Sequence, residues 1–146
     1  MAKIDDSRIE KMDTTLNGIH ILIAEDDESF KDSIGFFLTS LGATVEFASD
    51  GVEAISKANQ GCFDLVFMDL TLPKLDGESA VRALRSEAFA TPIIAMSAHS
   101  ASSRQGRCME AGFSDYLAKP FGLDEIIQKI ETHLLKDEGK KTAQKV

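Results

Sequence analysis

Residues 65–77 read LVFMDLTLPKLDG: four apolar side chains, an aspartate, then a turn marked by Leu-Pro and Asp-Gly. Four apolar residues without alternation make a strand covered on both faces, because a strand with one wet face alternates with period two. A carboxylate closing such a strand is costly to bury unless it is paired, metal-bound or used. Asp69 is therefore either an accident of a strand end or the group that the strand exists to carry.

The same pattern recurs outward in both directions. Ile19 to Ala24 is a short apolar run, followed by helical spacing from Asp27 to Leu41, with Phe30, Ile34, Phe37, Leu38 and Leu41 on one face and Gly42 as its stop. Ala43 to Ala48 predicts a strand and Gly51 to Asn59 a helix with Val52 and Ile55 inward. Phe63 to Met68 is the next strand, and Glu78 to Ser86 the next helix. Pro92 opens a strand at Ile93 to Met96, and Ala101 to Ala111 forms a helix before Gly112. Phe113 to Leu117 and Leu123 to Leu135 complete the series, the last helix with Ile126, Ile127, Ile130, Leu134 and Leu135 as core positions. Five repeats of strand then helix predict a doubly wound α/β domain with a five-stranded parallel sheet.

The chain has 146 residues, enough for one domain with a single core, and 43% hydrophobic against 27% charged residues is ordinary for a globular protein. Its formal charge of −8 argues against direct nucleic-acid binding, which needs basic surface. No apolar run approaches a membrane span, and acids in the N-terminal segment stand where a signal peptide would need an apolar core. Cys62 and Cys108 are far apart and belong to no Cys/His grouping, so a cytoplasmic protein without disulfide or zinc site is expected. Residues 1–18 read as a polar lead-in, although Ile4, Ile9, Met12 and Leu16 could form a loose helical stripe, and 136–146 as a flexible, solvated tail. The domain then spans 19–135.

In open α/β sheets the working site lies beyond the carboxyl ends of the strands, where strand order reverses. Those ends carry Glu25-Asp26-Asp27, Asp69, Ser97-Ala98 and Ala118-Lys119-Pro120. If the first and third strands are neighbours, several carboxylates meet at one edge and face a hydroxyl and an ammonium. Carboxylates so close repel, and a divalent cation relieves them; Mg2+ suits best, accepting a few carboxylates, waters and a phosphate oxygen. A carboxylate beside a bound phosphoryl donor can itself be the nucleophile, and Asp69 is the candidate. Lys119 would offset charge on the phosphoryl oxygens and the Ser97 hydroxyl would donate to one of them.

The set ILIAEDD, LVFMDLTLPKLDG, PIIAMSA and YLAKPF, in this order and spacing, resembles the receiver domain of two-component response regulators over residues 19 to 135. The resemblance implies a flavodoxin-like (βα)5 fold with strand order 2-1-3-4-5. It implies Asp69 as phosphoacceptor, loaded by a histidine kinase or a histidine phosphotransfer protein in a phosphorelay. Asp26 would bind Mg2+ directly, Glu25 through water, and the Thr71 backbone carbonyl would be a further ligand beside Asp69. Ser97 and Tyr116 match the switch pair, in which the phosphoryl group draws Ser97 inward and Tyr116 fills the vacated space. Lys119 matches the family's invariant lysine, and the Lys119-Pro120 bond is expected to be cis. Pro73 and Asp76-Gly77 would turn the loop so that the Thr71 carbonyl is fixed. Asp27 stays outside the metal shell, as a cap for the first helix.

Other residues keep two readings each. Ser97 taken alone is a strand-end hydroxyl and Tyr116 a half-buried core aromatic. Phe36 falls off the stripe of its helix, so it is either a lone exposed apolar residue or, with a partly exposed Phe30, a docking spot for a phosphotransfer helix. His20, His99 and His133 are structural or surface residues. Gly106 costs its helix ~1 kcal/mol relative to alanine, for mobility or for packing. Too few residues follow Leu135 for an effector, so the expected output is altered protein binding, by a stand-alone regulator or by a receiver excised from a hybrid kinase. The competing enzyme, a phosphatase of the haloacid dehalogenase type, needs a second acid two residues past its nucleophile, where Thr71 stands. Flavin binding is disfavoured because Glu25 to Glu28 would repel the flavin phosphate.

Overall fold

A computed structural model describes residues 16–98 and 102–135. In chain order the elements are β1 (His20–Ala24), α1 (Glu28–Ser40), β2 (Thr44–Ala48), α2 (Gly51–Gln60), β3 (Leu65–Asp69), α3 (Gly77–Ser86), β4 (Ile93–Ser97), α4 (Ser102–Ala111), β5 (Asp115–Ala118) and α5 (Leu123–Ile130), which runs into a π-helical turn, Glu131–Leu135. All strand pairs are parallel and the sheet order is β2-β1-β3-β4-β5, as expected. The chain leaves β1 toward one edge to make β2, then crosses to β3 on the other side. Strand order reverses between β1 and β3, and a crevice opens there.

Both faces of the sheet are covered. Leu22, Ala24, Val66, Met68, Ile93, Ala95 and Tyr116 share one core layer with Ala54 and Ala58 of α2, Ala80, Val81 and Leu84 of α3, and Cys108 and Ala111 of α4. The alternate strand residues Ile21, Ile23, Leu65, Phe67, Ile94, Met96 and Leu117 pack with Ile34, Phe37 and Leu38 of α1 and Ile126, Ile127 and Ile130 of α5. β3 and β4 are therefore buried at every residue, and this is why their sequences show no alternation. Leu16 is also fully buried in the second layer, while Ile4, Ile9 and Met12 lie outside the described residues.

Local chemistry starts and stops the helices. The side chains of Asp27, Asp50 and Asp76 accept hydrogen bonds from the N–H groups of Ser29, Glu53 and Ser79, capping α1, α2 and α3. Gly42, at φ 106°, ends α1 with its N–H on the Thr39 carbonyl. Asp27 thus has the capping role expected of it.

Three expectations change. Val52 is 55% exposed; Gly51, Ala54 and Ala58 face inward instead, with Ile55 only partly buried. At Gly51 the approach is close: a Cβ there would overlap the Leu75 carbonyl oxygen, so a glycine faces that loop. The strands also end later than the apolar runs do, so that Asp69 and Ser97 are strand residues rather than their sequels. For Gly106, a Cβ would meet nothing within 4 Å, which removes the packing explanation. Cys62 is exposed, Cys108 is buried, and neither forms a disulfide. His20 pairs with Glu46 at 3.1 Å and His133 with Asp115 at 2.8 Å, both structural contacts, while His99 lies outside the described residues. No helix among the described residues is long and apolar enough to cross a membrane.

Candidate functional site

The parallel ladder carries each strand end to the crevice. The Glu25 N–H donates to the Ala48 carbonyl at 2.9 Å, and the Leu70 N–H to the Met96 carbonyl at 2.9 Å, extending β1 and β3 by a rung. The Lys119 N–H donates to the Ser97 carbonyl at 2.6 Å, tying the end of β5 to that of β4. Strand ends that are distant in sequence therefore arrive side by side.

Their side chains converge on one ammonium. Lys119 Nζ lies 2.7 Å from Glu25 Oε1 and 2.7 Å from Asp69 Oδ2. Glu25 is 2% exposed and Asp69 6%, whereas the Lys119 side chain keeps 23% of its surface open. Each carboxylate spends its second oxygen on backbone: Asp69 Oδ1 accepts from the Thr71 N–H at 2.8 Å, and Glu25 Oε2 from the Asp27 N–H at 3.0 Å. Both are thereby fixed in orientation, and their desolvation is offset by charge-assisted hydrogen bonds.

The balance of charge is uneven, two buried carboxylates to one ammonium. Burial raises the Glu25 carboxyl above its ordinary value; Lys119 opposes this, and neighbouring Asp69 adds to it. For Lys119 burial works downward, but the bonds to Asp69 and Glu25 outweigh it and its value rises. The folded state therefore holds the Glu25 proton more tightly than the unfolded chain does. Stability contributed by this group is greatest below the usual carboxylate range and falls as pH rises through the raised folded value. In urea melts across that range, Glu25→Gln is expected to remove this falling component, and an unchanged pH slope would place the charge imbalance elsewhere.

Of the other expected residues, Ser97 closes β4 and is buried, within one rung of Asp69, whose register partner is Met96. Tyr116, opposite Ala95, is buried in the core layer with Cys108 and Ala111. Asp26 is exposed at the end of β1. Among the described residues, no three acidic, histidine or cysteine side chains stand grouped as they would around an ion. The donor chemistry nonetheless suits a small hard cation: all the candidate donors are oxygens, and negative charge at the site exceeds positive.

The loop after β3 is built closely against that strand. The Leu75 N–H donates to the Pro73 carbonyl at 2.6 Å across Lys74, which takes φ 67°, a tight turn of three residues. The Gly77 N–H then donates to the Leu70 carbonyl at 3.0 Å. A Cβ on Gly77 would overlap the Asp69 carbonyl oxygen, so only glycine lets the first turn of α3 rest there. The Lys119-Pro120 peptide is cis, as expected.

Sequence reading missed the aromatic side of the site. The Lys119 ammonium stands 4.5 Å from the centre of the Phe30 ring, and Phe121 meets that ring edge to face at 5.6 Å. Phe121 follows Lys119-Pro120 directly, a signal available in YLAKPF; no local pattern marks Phe30 as its partner. Also unforeseen is Lys31, a buried lysine bound at 3.0 Å to both Ser49 Oγ and Glu28 Oε2, which ties α1 to the loop after β2. Phe36 is 79% exposed, off the buried face of α1, as the spacing required.

Comparison with known proteins agrees with this arrangement. Residues 21–131 match the model of the response regulator receiver domain. The transcriptional regulatory protein CiaR of Streptococcus pneumoniae is 38% identical over 122 residues, 84% of this chain and 54% of that protein. A receiver domain of sensor histidine kinase PA1611 from Pseudomonas aeruginosa, with magnesium coordinated in its active-site cleft, superposes with TM-score 0.73 at 36% identity, over 80% of this chain and 97% of that one. The receiver domain of Ssk1 from Saccharomyces cerevisiae, solved with the histidine phosphotransfer protein Ypd1, gives TM-score 0.75 at 28% identity, over 81% and 90% of the two chains. The chain spans between a fifth and about half of the length of the curated relatives it matches. A five-stranded sheet in the order 2-1-3-4-5, with two buried acids and a lysine converging at its switch point, and the match across residues 21–131, show that the chain belongs to the response regulator receiver domain family.

Proposed function

We propose that this chain is a phosphoacceptor of a two-component or phosphorelay system, taking a phosphoryl group onto Asp69 from a histidine kinase or histidine phosphotransfer protein. The observation that carries this reading is the Lys119 ammonium held at 2.7 Å from both Asp69 and Glu25 at the strand-order reversal. The Ypd1 complex of the Ssk1 receiver supports the class of donor. In the transfer an Asp69 carboxylate oxygen forms a bond to phosphorus while the bond from phosphorus to the donor's imidazole nitrogen breaks, and the imidazole keeps that electron pair. Lys119, already beside Asp69, faces the charge on the phosphoryl oxygens, and the Ser97 hydroxyl donates to one of them. Buried Tyr116 and Ser97 form the switch pair, through which loading alters protein binding.

Asp26, Asp69 and the Thr71 carbonyl would hold Mg2+, with Glu25 engaged through water; the magnesium in the cleft of the Pseudomonas receiver domain supports this assignment. When bound, the ion neutralises charge shared by the acids and the incoming phosphoryl oxygens. Calorimetry with magnesium is expected to show Asp26→Ala binding at least tenfold more weakly, about 1.4 kcal/mol, and Asp27→Ala little changed, since Asp27 caps α1. Equal losses would move the metal shell by one residue.

A phosphoacceptor that turns over only its own phosphate fits better than a phosphatase of the haloacid dehalogenase type. The position two past Asp69 is Thr71, whose N–H is already bound to the Asp69 carboxylate. Sustained hydrolysis of a phosphate monoester would reverse this preference.

Phe36, exposed near the middle of α1, is proposed as a docking anchor for the helical donor, with the partly buried Phe30 closer to the crevice. Phe36→Ala is expected to slow transfer from the cognate phosphohistidine protein about tenfold, the loss of one well-packed anchor. Labelling by acetyl phosphate should be unaffected, and parallel losses with both donors would remove the docking role.

A further inference from the structure

Phe30 does more than border a docking surface. Lysine has a long stem with many rotamers and three N–H donors. Two of those donors go to Glu25 and Asp69 at 2.7 Å each, and the Phe30 ring lies 4.5 Å from the same nitrogen. The ring is itself braced: Phe121, two residues beyond Lys119, stands nearly perpendicular to it, at 89° and 5.6 Å between centres. The start of α1 and the loop after β5 are thus joined by two rings, with the ammonium against one of them.

An aromatic face is well suited to this place. It attracts a cation through its quadrupole without bringing a net charge. A further carboxylate would deepen the excess of negative charge, already two carboxylates to one ammonium, and would compete with phosphoryl oxygens for the lysine. An aliphatic side chain would fill the space and leave the ammonium unguided on that side.

We propose that Phe30 is a positioning residue for Lys119, its ring holding the ammonium in the span between Glu25 and Asp69 so that the lysine is in place when the phosphoryl group arrives. The proposal rests on the reading of Lys119 as the group that meets the phosphoryl oxygens, and it adds a residue on α1 to the machinery that the four strand-end motifs define.

Two measurements on the full chain test it. By NMR, the ε-methylene protons of Lys119 should be shifted upfield by the ring in the wild type; the shift should be lost in Phe30→Leu and kept in Phe30→Tyr. With acetyl phosphate at saturating magnesium, Phe30→Leu is expected to be labelled about fivefold more slowly, the loss of one cation–π contact, and Phe30→Tyr to recover most of the rate. Magnesium affinity should be retained in both variants, because a general loosening of the site would lower affinity and rate together. Phe30→Leu labelling at the wild-type rate, Phe30→Tyr as slow as Phe30→Leu, or affinity and rate falling in step would overturn the proposal. So would wild-type Lys119 protons at their unstructured positions, a result that needs no variant to fold. If the wild-type chain takes no label, the phosphoacceptor reading fails, and the ring shift still decides whether Phe30 seats the lysine.

Discussion

Asp69→Asn is expected to reduce labelling by acetyl phosphate and magnesium to background while leaving the domain folded. The substitution is nearly isosteric and keeps a carbonyl oxygen for the Thr71 N–H, which lies 2.8 Å from Asp69 Oδ1. What it removes is the anionic oxygen proposed to attack phosphorus, for which a neutral amide is no substitute. Folding should not suffer, because Lys119 retains Glu25 at 2.7 Å and the site loses one of two carboxylates competing for that ammonium. A linked result is expected in the same variant: with Asp69 no longer charged beside it, the Glu25 carboxyl should titrate closer to its ordinary value, since Asp69 is among the causes that raise it. Labelling would be followed by intact mass, with acid lability and hydroxylamine sensitivity marking an acyl phosphate. An acyl phosphate on the Asp69→Asn variant would mean that another acid is the acceptor.

Lys119→Ala should cost the unliganded domain about 2–3 kcal/mol at neutral pH. Removing one partner of a buried ion pair leaves uncompensated charge, and the usual penalty is reduced here because the ammonium is partly open to water. Glu25 and Asp69 would then face each other without a cation. The deficit should shrink as pH falls, because protonated carboxyls need no ammonium, and magnesium should restore part of it by replacing the lost positive charge. Urea melts at two pH values, with and without magnesium, read all three effects. The same variant should accept some phosphate, since Asp69 and the oxygen donors remain, but should not pass the event on to Ser97 and Tyr116. Beryllofluoride titration followed at the amides of those two residues checks this. Wild-type shifts on activation in Lys119→Ala would strip the lysine of its role in the switch.

Both results depend on a site whose parts are separately unremarkable. Glu25 and Lys119 are 94 residues apart, and Asp69 and Lys119 are 50 apart, yet a single nitrogen holds them all. The parallel sheet makes this possible, because every strand points the same way and delivers its last residue to the same edge. The two strands that bring acids, β1 and β3, are neighbours where the winding reverses, the place where a parallel sheet opens a crevice.

What could be read without coordinates is what depends on neighbours in sequence. Short apolar runs between helical patterns identified β1, β3 and β4, because a strand buried on both faces carries its signature within itself. Helix stops at Gly42 and Gly112 and the cap at Asp27 were legible for the same reason, since a left-handed turn or a side-chain cap is settled within a few residues. The acids, hydroxyl and lysine at strand ends were visible as candidates, and the family resemblance supplied the strand order that assembled them.

Misreadings occurred where a residue's environment belongs to another element. Val52 was placed inward on its hydrophobicity, but the face that α2 buries is the one carrying Gly51, Ala54 and Ala58, with Gly51 tight against the Leu75 carbonyl. Asp69 and Ser97 were set beyond their strands because they are polar, although the ladder continues through them once β4 and β5 lie alongside. Phe30 looked like one more apolar position on α1, and only the return of the chain after β5 brings Lys119 and Phe121 to its ring. By itself, then, the sequence determined which segments are buried, where they begin and end to within a few residues, and which reactive groups stand at their tips. The tertiary structure alone decided which of those tips touch, how two carboxylates share one ammonium, and which aromatic ring lies against it. Burial periodicity is a property of a few consecutive residues, whereas contact between residues 94 positions apart depends on how separately formed strands and helices are packed.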